Sequence, residues 1–329
     1  MVQRTLVTGG CGFIGRHLVN ALLDEGHAVT VLDNLSCGTD YGLPFHSSLR
    51  FLEGSVLDGG MVRRACEDVN LVFHLAGIVG MQRVTANTEL TYCTSVLGTH
   101  NVLAGSARAP VVLFSSSAVY GLGAPTPVSE DSSLVSWATA LSYDGAVRCY
   151  AAGKWVIEQL GRSAAGAGRR VIVIRPFNVV GPGQAAGTGV IPKMLDRAIT
   201  GRPLTVFGDG TQSRSFGCVS VFVPAVLRLV SRLQSERDRY AVVNVGADQE
   251  TTILELARAV LDVTHSKSRV EFRPYASVFP SKTDVRRRVP DLRKLTSLIG
   301  SLCWPSVEEI LRDCIAAPAL TVPLAELHR

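Results

Sequence analysis

A tyrosine and a lysine lie four residues apart in the stretch "YAAGK", at Tyr150 and Lys154. On an α-helix this spacing is about one turn, so both side chains would lie on the same face. An ammonium group next to a phenol favours the phenolate through opposite charge, and a phenolate can take a proton from an alcohol. Because the same spacing also arises by chance on ordinary helix faces, the rest of the sequence must decide between an acid/base centre and a packing pair.

A glycine-rich segment, "TGGCGFIG", lies between a predicted first strand and a predicted first helix. Gly10, Gly12 and Gly15 match G-x-G-x-x-G, and Gly9, Gly12 and Gly15 match the wider G-x-x-G-x-x-G. Such glycines permit a tight turn and let backbone N–H groups and the positive end of a helix approach a pyrophosphate. The segment therefore predicts a dinucleotide site.

The type of dinucleotide is indicated by Asp33, which ends the second predicted strand. A carboxylate at this position accepts hydrogen bonds from a ribose diol and repels a 2′-phosphate. Asn34 and Leu35 follow it, so no adjacent arginine is available for a phosphate. NAD is therefore favoured over NADP. Asp58, after the third strand, is a candidate for an adenine contact, and the alternative is that it caps the next helix.

The elements that must position these residues alternate between strands and helices. Strands are predicted at residues 5–8, 28–33, 49–54, 71–77, 111–117 and 170–176, and helices lie between them. Uniformly apolar strands separated by amphipathic helices indicate a parallel sheet covered on both faces. We therefore predict an α/β fold with a Rossmann-type doubly wound parallel sheet and a smaller C-terminal α/β substrate-binding lobe.

The predicted domain boundary lies after Pro176, where the regular alternation of strands and helices gives way to the glycine-rich loop "FNVVGPGQAAGTG". Residues 1–175 with about 215–250 are assigned to the NAD-binding domain, and about 176–214 with 251–329 to the substrate lobe. The segment "PLTVFGDGTQSRSF" in that lobe predicts a hairpin with a D-G turn.

Composition excludes several classes of function. Hydrophobic residues make up 47% and charged residues 19%, which is typical of a globular protein. The net charge of +5 comes without a long basic run, which argues against nucleic-acid binding. The 8 cysteines are scattered, so neither a metal site nor a disulfide framework is expected. With no signal peptide or long apolar run, we expect a cytoplasmic protein without a membrane span.

Several motifs in one order resemble the extended short-chain dehydrogenase/reductase superfamily: "TGGCGFIG", "FHLAG", "SSSAVYG", "YAAGK" and "RPFNVVGPG". More narrowly, the chain resembles NAD-dependent nucleotide-sugar epimerases, dehydratases and decarboxylases, particularly those acting on UDP-glucuronate. The resemblance implies NAD as the cofactor, a nucleotide sugar as the substrate and a homodimer as the assembly. It disfavours a protein that binds NAD without chemistry, since such proteins commonly lose the tyrosine or the lysine.

The resemblance also assigns roles to residues. Tyr150, Lys154 and Ser116 match the catalytic residues, and Lys154 would also hold the nicotinamide ribose. Asn178 matches a residue that meets the substrate phosphates, and Arg214 and Arg288 match arginines that clamp the diphosphate; a turn former and surface charges are the alternatives. Which of Arg286, Arg287 and Arg288 meets the diphosphate stays open. The implied cofactor residues are Gly9, Gly12, Phe13, Ile14, Gly15, Asp33, Asn34, Asp58, Leu75 and Lys154, and the implied substrate residues are Ser117, Arg148, Asn178, Arg214 and Arg288.

The residues after Ser116 bear on the reaction. The dehydratases and decarboxylases resembled here carry Glu where this chain has Ala118. Ser117 and Ala118 cannot relay a proton at C5 or C6 of a sugar, so dehydration is disfavoured and decarboxylation is doubtful. This pattern predicts C4 epimerisation of a UDP-sugar, with UDP-glucuronate as one candidate, through a 4-keto intermediate.

Another segment favours decarboxylation of UDP-glucuronate instead. "SYDGAVRCYAAGK" is similar to a stretch typical of UDP-glucuronate decarboxylases, which form UDP-xylose. Arg148 within it is a candidate for a substrate carboxylate contact, with a surface arginine as the alternative. The chain departs from the superfamily pattern at Ser95, where Asn is usual, and at Ser220–Val221, where a carboxylate is usual. His74, in an apolar strand, is expected to be a core histidine.

Overall fold

A parallel sheet of seven strands forms the centre of the protein, which we describe from a computed structural model for residues 3–36, 42–106, 109–132, 145–185, 188–274 and 285–317. The strands are β1 (Arg4–Thr8), β2 (Ala28–Asp33), β3 (Leu49–Glu53), β4 (Leu71–His74), β5 (Val111–Phe114), β6 (Val171–Pro176), β7 (Val179–Val180), β8 (Leu204–Phe207), β9 (Ser213–Ser215), β10 (Gly217–Cys218), β11 (Tyr240–Val245), β12 (Glu250–Thr252), β13 (Val270–Arg273) and β14 (Arg287–Arg288). The helices are α1 (Phe13–Asp24), α2 (Gly59–Ala65), α3 (Met81–Ala86), α4 (Thr88–Gly105), α5 (Gly145–Gly166), α6 (Val190–Ile199), α7 (Val219–Gln234), α8 (Ile253–Thr264), α9 (Arg293–Ile299) and α10 (Val307–Ala316), with a 3₁₀ helix at Ser117–Tyr120.

The central sheet has the order β11-β6-β5-β4-β1-β2-β3, and its strands pair in parallel. β4 and β5 are buried along their whole length, as expected for strands that are covered on both faces. The chain reverses its direction of winding between β1 and β4, and in such sheets ligands bind outside the carboxyl ends at this point. The Rossmann-type fold class predicted from the sequence is confirmed.

Helices cover both faces of the sheet. One core layer contains apolar residues of α1 and α7 against the sheet, and the other contains residues of α2, α4 and α5. The helices α4 and α5 pack against one another at Ser95 and Gly153, where a Cβ added to the glycine would lie 3.2 Å from the serine Cβ. This close packing fixes the helix that carries Tyr150 and Lys154.

A further hydrophobic core lies among α6, α8, α10 and β8. Its short strands correct one prediction, because residues 203–216 do not form a hairpin. β8 pairs with β13 in parallel, whereas β9 pairs with β12 and β14. The turn at Asp209 does form, with the carboxylate accepting from Thr211 N at 3.0 Å, but the flanking strands find partners that lie far away in sequence.

Two general observations bear on function. In the portion of the chain that the structure describes, no helix is long and apolar enough to cross a bilayer. A search of the same portion finds no cluster of His, Cys, Asp or Glu side chains with the spacing of a metal site.

Candidate active site

The glycine-rich turn between β1 and α1 is packed so closely that Gly9 and Gly15 have no room for a Cβ. Gly9 has φ of +73°, and a Cβ there would lie 2.7 Å from the backbone nitrogen of Ala76. A Cβ on Gly15 would lie 2.2 Å from the carbonyl oxygen of Gly9. The glycines therefore allow β1, α1 and the end of β4 to meet at one point.

The N-terminus of α1 is suited to an anion. Its capping residue, Gly12, provides no side-chain cap, and the first turn contains no acidic residue. Phe13 and Ile14, in that turn, are half-buried against the sheet. The N–H groups and the positive end of the helix are thus available to a negatively charged group such as a pyrophosphate.

Asp33 lies beside this turn at the end of β2. One carboxylate oxygen accepts a hydrogen bond from Cys11 N at 2.9 Å, and the other accepts from Leu35 N at 2.9 Å. The carboxylate is therefore held against the glycine-rich turn, where the sequence predicted the ribose. The Asn34 side chain accepts hydrogen bonds from Ser36, so it builds the following turn.

Asp58 and Leu75 follow β3 and β4, respectively, on the side of the sheet where its parallel strands end. Asp58 caps α2 by accepting from Gly60 N at 2.8 Å and Met61 N at 3.0 Å, which is the alternative role that the sequence left open. An adenine contact by this residue stays a prediction. Leu75 follows β4, and its N–H donates to Thr8 O at 3.0 Å, so this residue lies next to the glycine-rich turn.

Lys154 is a buried cation at the carboxyl end of the sheet. Only 5% of its surface is exposed, and its amine donates a hydrogen bond to the carbonyl oxygen of Phe114 at 2.7 Å. A Cβ on Gly77 would lie 3.7 Å from the amine, which places it beside the segment that follows β4. Burial lowers the pKa of Lys154 to about 8, against a smaller opposing effect of Glu158.

Tyr150 lies one turn before Lys154 on α5, as the spacing predicted. The lysine amine is 6.0 Å from the centroid of the tyrosine ring, and the tyrosine is half-buried. Ser116 precedes the 3₁₀ helix and accepts from Ala118 N at 3.1 Å. That 3₁₀ helix packs on α5 through Ala118 and Ala151, so the structure brings the segment with the serine and the helix with the pair into contact.

His74 is a core residue at the end of β4. It is 3% exposed, and its ring nitrogens form hydrogen bonds with Thr8 Oγ1 at 2.7 Å and Thr99 Oγ1 at 3.0 Å. Burial, with a contribution from the Lys154 charge, lowers the pKa of His74 to about 3, so the ring is neutral. The expectation of a packed core histidine is confirmed.

A second group of predicted residues lies where β7, β9 and β14 meet. The side-chain amide of Asn178, whose φ is +35°, donates to Ser215 O at 2.9 Å. Arg214 and Arg288 are paired Cα neighbours on parallel strands, so their side chains project from the same face. The structure thus brings together the three residues that the sequence assigned to the diphosphate.

The three consecutive arginines have different environments. Arg287 is exposed and forms a surface ion pair with Glu250, at 2.7 Å between Nη2 and Oε2. Arg286 is exposed as well. Arg288 is 6% exposed, and its guanidinium donates to the carbonyl oxygens of Ser117 and Gly121. Arg288 is therefore the member that reaches the turn carrying Ser116 and Ser117.

The structure shows the surroundings of Arg148, a candidate for the substrate carboxylate, and of Ser95, where the superfamily usually has Asn. Arg148 lies on α5 two residues before Tyr150, a spacing that directs two side chains to different sides of a helix, and it is exposed. A surface arginine fits this position better, and contact with a substrate carboxylate stays a prediction. Ser95 is buried and donates to Thr91 O at 2.9 Å, so it satisfies its hydroxyl within α4.

The sequence analysis missed several buried polar residues next to the site: Ser115, Tyr120, Glu158, Arg175 and Asn244. Arg175 and Glu158 form an ion pair at 2.7 Å, with 4% and 2% of their side chains exposed. An arginine in the apolar strand "VIVIRP" and a glutamate one turn after Lys154 were the available signals, because a buried charge needs a partner.

Two side chains of α1 were also missed. Arg16 donates to Gly183 O at 2.9 Å, and the His17 ring donates to Pro182 O at 3.0 Å. Burial lowers the pKa of His17, which favours the neutral ring. These contacts hold the loop after β7 against the helix whose N-terminus faces the cofactor crevice.

The residues present fit NAD. The glycine-rich cradle has no room for a Cβ at Gly9 or Gly15, the N-terminus of α1 has no side-chain cap, and Asp33 lies beside them. A pyrophosphate would be held by the first turn of α1, and a ribose diol by the Asp33 carboxylate. Lys154 lies at the same edge of the sheet, where the nicotinamide end is expected.

The chain is similar in sequence to known proteins. Residues 5–246 match the model of the NAD-dependent epimerase/dehydratase family. A UDP-N-acetyl-α-D-glucosaminuronate decarboxylase from Bacillus cytotoxicus is 33% identical over 322 residues, covering 96% of this chain and 97% of that protein. UDP-glucuronic acid decarboxylase 4 from Arabidopsis thaliana is 33% identical over 303 residues, covering 91% of this chain and 65% of that protein.

Solved structures agree with the fold and the cofactor. UDP-glucose 4-epimerase from Thermotoga maritima, solved with UDP-glucose, superposes with a TM-score of 0.81 at 27% identity, covering 95% of this chain and 97% of that one. MoeE5, solved with UDP-glucuronic acid and NAD, gives a TM-score of 0.78 at 29% identity, covering 95% and 97%.

Proposed function

The chain belongs to the NAD-dependent epimerase/dehydratase family, and we propose that it decarboxylates a UDP-linked uronic acid after oxidising its C4 position. The observation that carries this proposal is the similarity over 96% of the chain to a decarboxylase of a UDP-linked uronic acid. A second decarboxylase with a related substrate in its name matches 91% of the chain. The sequence pattern favoured C4 epimerisation over decarboxylation, and the similarity to these decarboxylases reverses that order.

Three residues of the site would remove the proton from the C4 hydroxyl. Tyr150, as the phenolate, takes the proton from the C4 hydroxyl, and Ser116 holds the same oxygen. Lys154 stabilises the phenolate by its charge, because opposite charges at this range favour ionisation of the phenol. Bound NAD⁺ supplies reversible hydride acceptance at C4. The result is a 4-keto sugar that is still attached to the nucleotide.

The C4 ketone makes loss of CO₂ chemically easy. In a uronic acid the carboxylate and the C4 carbonyl are both attached to C5, so the oxidised sugar is a β-keto acid. When the C5–C6 bond breaks, its electron pair enters the carbonyl as an enolate, and CO₂ leaves. A proton from water then adds to C5, and the hydride that was removed from C4 is returned to that carbon. This sequence needs no side chain that removes a proton from C5 or C6, so Ala118 does not prevent it.

The second candidate is C4 epimerisation, and one observation favours it. Ala118 stands where the decarboxylases resembled by this chain carry Glu, and the neighbouring Ser117 is likewise unable to act as an acid/base group. An epimerase needs only the C4 chemistry, followed by reduction of the ketone from its opposite face.

The substrate is proposed to be held by its diphosphate. Asn178, Arg214 and Arg288 lie together beside the turn with Ser116, and guanidinium groups engage phosphate oxygens bidentately. We assign residues 176–214 and 251–329, which contain this group, to a nucleotide-sugar lobe. Firm binding of a remote part of a substrate supplies energy to orient the reacting part.

A homodimer is proposed through α4 and α5. On α4, Leu90 and Leu97 are seven residues apart and 47% exposed each, so they lie on one helix face that could pack on a second copy. Light scattering should give the mass of a dimer, and Leu97→Glu should shift it toward that of a monomer. A monomeric mass for the unaltered protein would refute the assembly.

The reaction is tested by mass spectrometry of the product. Enzyme, NAD⁺ and UDP-glucuronate are incubated, and UDP-N-acetylglucosaminuronate is tested in parallel. Decarboxylation predicts a product lighter by CO₂, whereas epimerisation predicts an unchanged mass with a new chromatographic retention. Absence of both products from UDP-, dTDP- and GDP-linked sugars would contradict the family chemistry for this chain.

The arginines provide a matched pair of variants. Arg288→Ala removes hydrogen bonds to the Ser117–Gly121 turn and a proposed phosphate contact, so UDP affinity should fall by about 10-fold or more, the range for hydrogen bonds to charged groups. Arg287→Ala removes an exposed ion pair and should change UDP affinity by less than about twofold. Calorimetric titration with UDP measures both, and equal effects would contradict the assignment of Arg288.

A further inference from the structure

Lys154 is buried, although its proposed role requires a charged side chain. The proposed role of Lys154 requires the ammonium form, yet the side chain is 5% exposed and donates to a backbone carbonyl. Burial favours the neutral amine. Something in the surrounding structure must therefore favour the charged form.

Among the residues that the structure describes, Glu158, one helical turn after Lys154 on α5, is the carboxylate whose charge acts on Lys154. Its side chain is 2% exposed and accepts from Ser115 Oγ at 2.5 Å. It also accepts from Nε and Nη2 of Arg175 at 2.9 and 2.7 Å. Ser115 follows Phe114, whose carbonyl oxygen accepts from the Lys154 amine, so one short segment contacts both the carboxylate and the lysine.

Arg175 is fixed from its other side. Its Nη1 donates to the hydroxyl of Tyr120 at 2.9 Å, and that hydroxyl donates to Asn244 Oδ1 at 2.7 Å. The Asn244 amide donates in turn to Val128 O at 2.9 Å. The network thus runs from β5 across β6 to β11, and it fixes the Arg175 guanidinium against the carboxylate of Glu158.

In the described parts of the chain, the other titratable and charged groups around Lys154 do not supply this negative charge, and the Glu130 carboxylate contacts the far end of the network by accepting from Asn244 N at 2.7 Å. His74 on β4 is neutral, Arg175 on β6 is a cation, and Tyr92 on α4 lies beside Gly153. Tyr150 on the same helix is the proposed base. We propose that the buried Glu158–Arg175 pair is a positioning element that holds Lys154 in the ammonium form and keeps its amine directed at the carboxyl end of the sheet.

This inference rests on the proposed function of Lys154, but its test does not require a substrate. The chain has few lysines, at positions 154, 193, 267, 282 and 294. Lysine labelled with ¹³C at Cε therefore gives a simple NMR spectrum, and Lys154→Arg identifies the signal of Lys154 by its loss. A pH titration of that signal reports the protonation of Lys154 directly.

The unaltered protein should titrate with a midpoint near pH 8. Glu158→Gln removes the negative charge and leaves Arg175 unpaired, so the midpoint should fall by about one pH unit or more. In steady-state assays the alkaline limb of kcat should move to lower pH by the same amount. Glu236→Gln, on an exposed glutamate that pairs with Arg232, should leave both midpoints unchanged.

A second variant covers the case in which Glu158→Gln does not fold. The double change Glu158→Gln with Arg175→Met removes both charges, and replacing both partners of a buried pair is tolerated better than removing one. Its Lys154 midpoint should also lie below that of the unaltered protein. A midpoint that stays near pH 8 in either folded variant would overturn the inference, whatever reaction the enzyme catalyses.

Discussion

Replacing Tyr150 by Phe should lower kcat by about 1,000-fold, within the range that a positioned acid/base group contributes. The change removes one oxygen atom and keeps the half-buried ring, so folding and NAD affinity should be retained. Steady-state assays with the substrate identified by mass spectrometry give kcat, and fluorescence titration gives the affinity for NAD.

The matched control is Tyr92→Phe, which removes a phenol from the neighbouring helix α4. Tyr92 is half-buried near Gly153 and has no role in the proposed mechanism, so its variant should lose less than about threefold in kcat. Equal activity of the Tyr150 variant and the unaltered enzyme would remove Tyr150 from the mechanism. A parallel loss of NAD affinity would indicate a structural role instead.

Replacing Gly15 by Ala should weaken NAD binding by about 10-fold or more, because the displaced first turn of α1 would lose hydrogen bonds to the charged pyrophosphate. The added Cβ would lie 2.2 Å from the carbonyl oxygen of Gly9 and 2.8 Å from the Cα of Gly10, so backbone rather than a flexible side chain must move. Overpacking of this kind also costs about 1–3 kcal/mol of folding stability. Calorimetric titration with NAD and a thermal melt measure the two effects.

Gly166 offers the control for this substitution. It lies in the last turn of α5, and a Cβ there would meet nothing within 4 Å. Gly166→Ala should leave NAD affinity unchanged and raise stability by about 0.5–1 kcal/mol, because alanine is the better helix former. If the two alanine variants bound NAD equally well, the cradle around Gly15 would not be the cofactor site.

Most of the site residues whose placement was predictable lie close together in the sequence. The glycine-rich turn, Asp33 and the pair Tyr150–Lys154 each lie within one strand–turn–helix unit or one helical turn, so their relative placement follows from secondary structure. The doubly wound parallel sheet was also predictable, because uniformly apolar strands alternating with helices permit few topologies. The apolar pattern around His74 was sufficient to predict a buried histidine.

Long-range contacts were not predictable in this way. The D-G turn at Asp209 was found, but β8 and β9 pair with β13 and β12, which lie at least 35 residues further along, so no hairpin forms. Likewise, nothing local distinguishes Arg288 from Arg287; only the pairing of β14 with β9 buries one and exposes the other. The Glu158–Arg175 pair joins α5 to β6, and its partner depends on tertiary packing.

The proposed reaction proceeds through oxidation of the sugar at C4 by NAD⁺. A single-turnover experiment with UDP-glucuronate carrying deuterium at C4 tests it most directly. The account predicts a transient absorbance of reduced nicotinamide, slower to appear than with the unlabelled sugar, and a product that keeps deuterium at C4. A product formed at an unchanged rate with no reduced nicotinamide would contradict it.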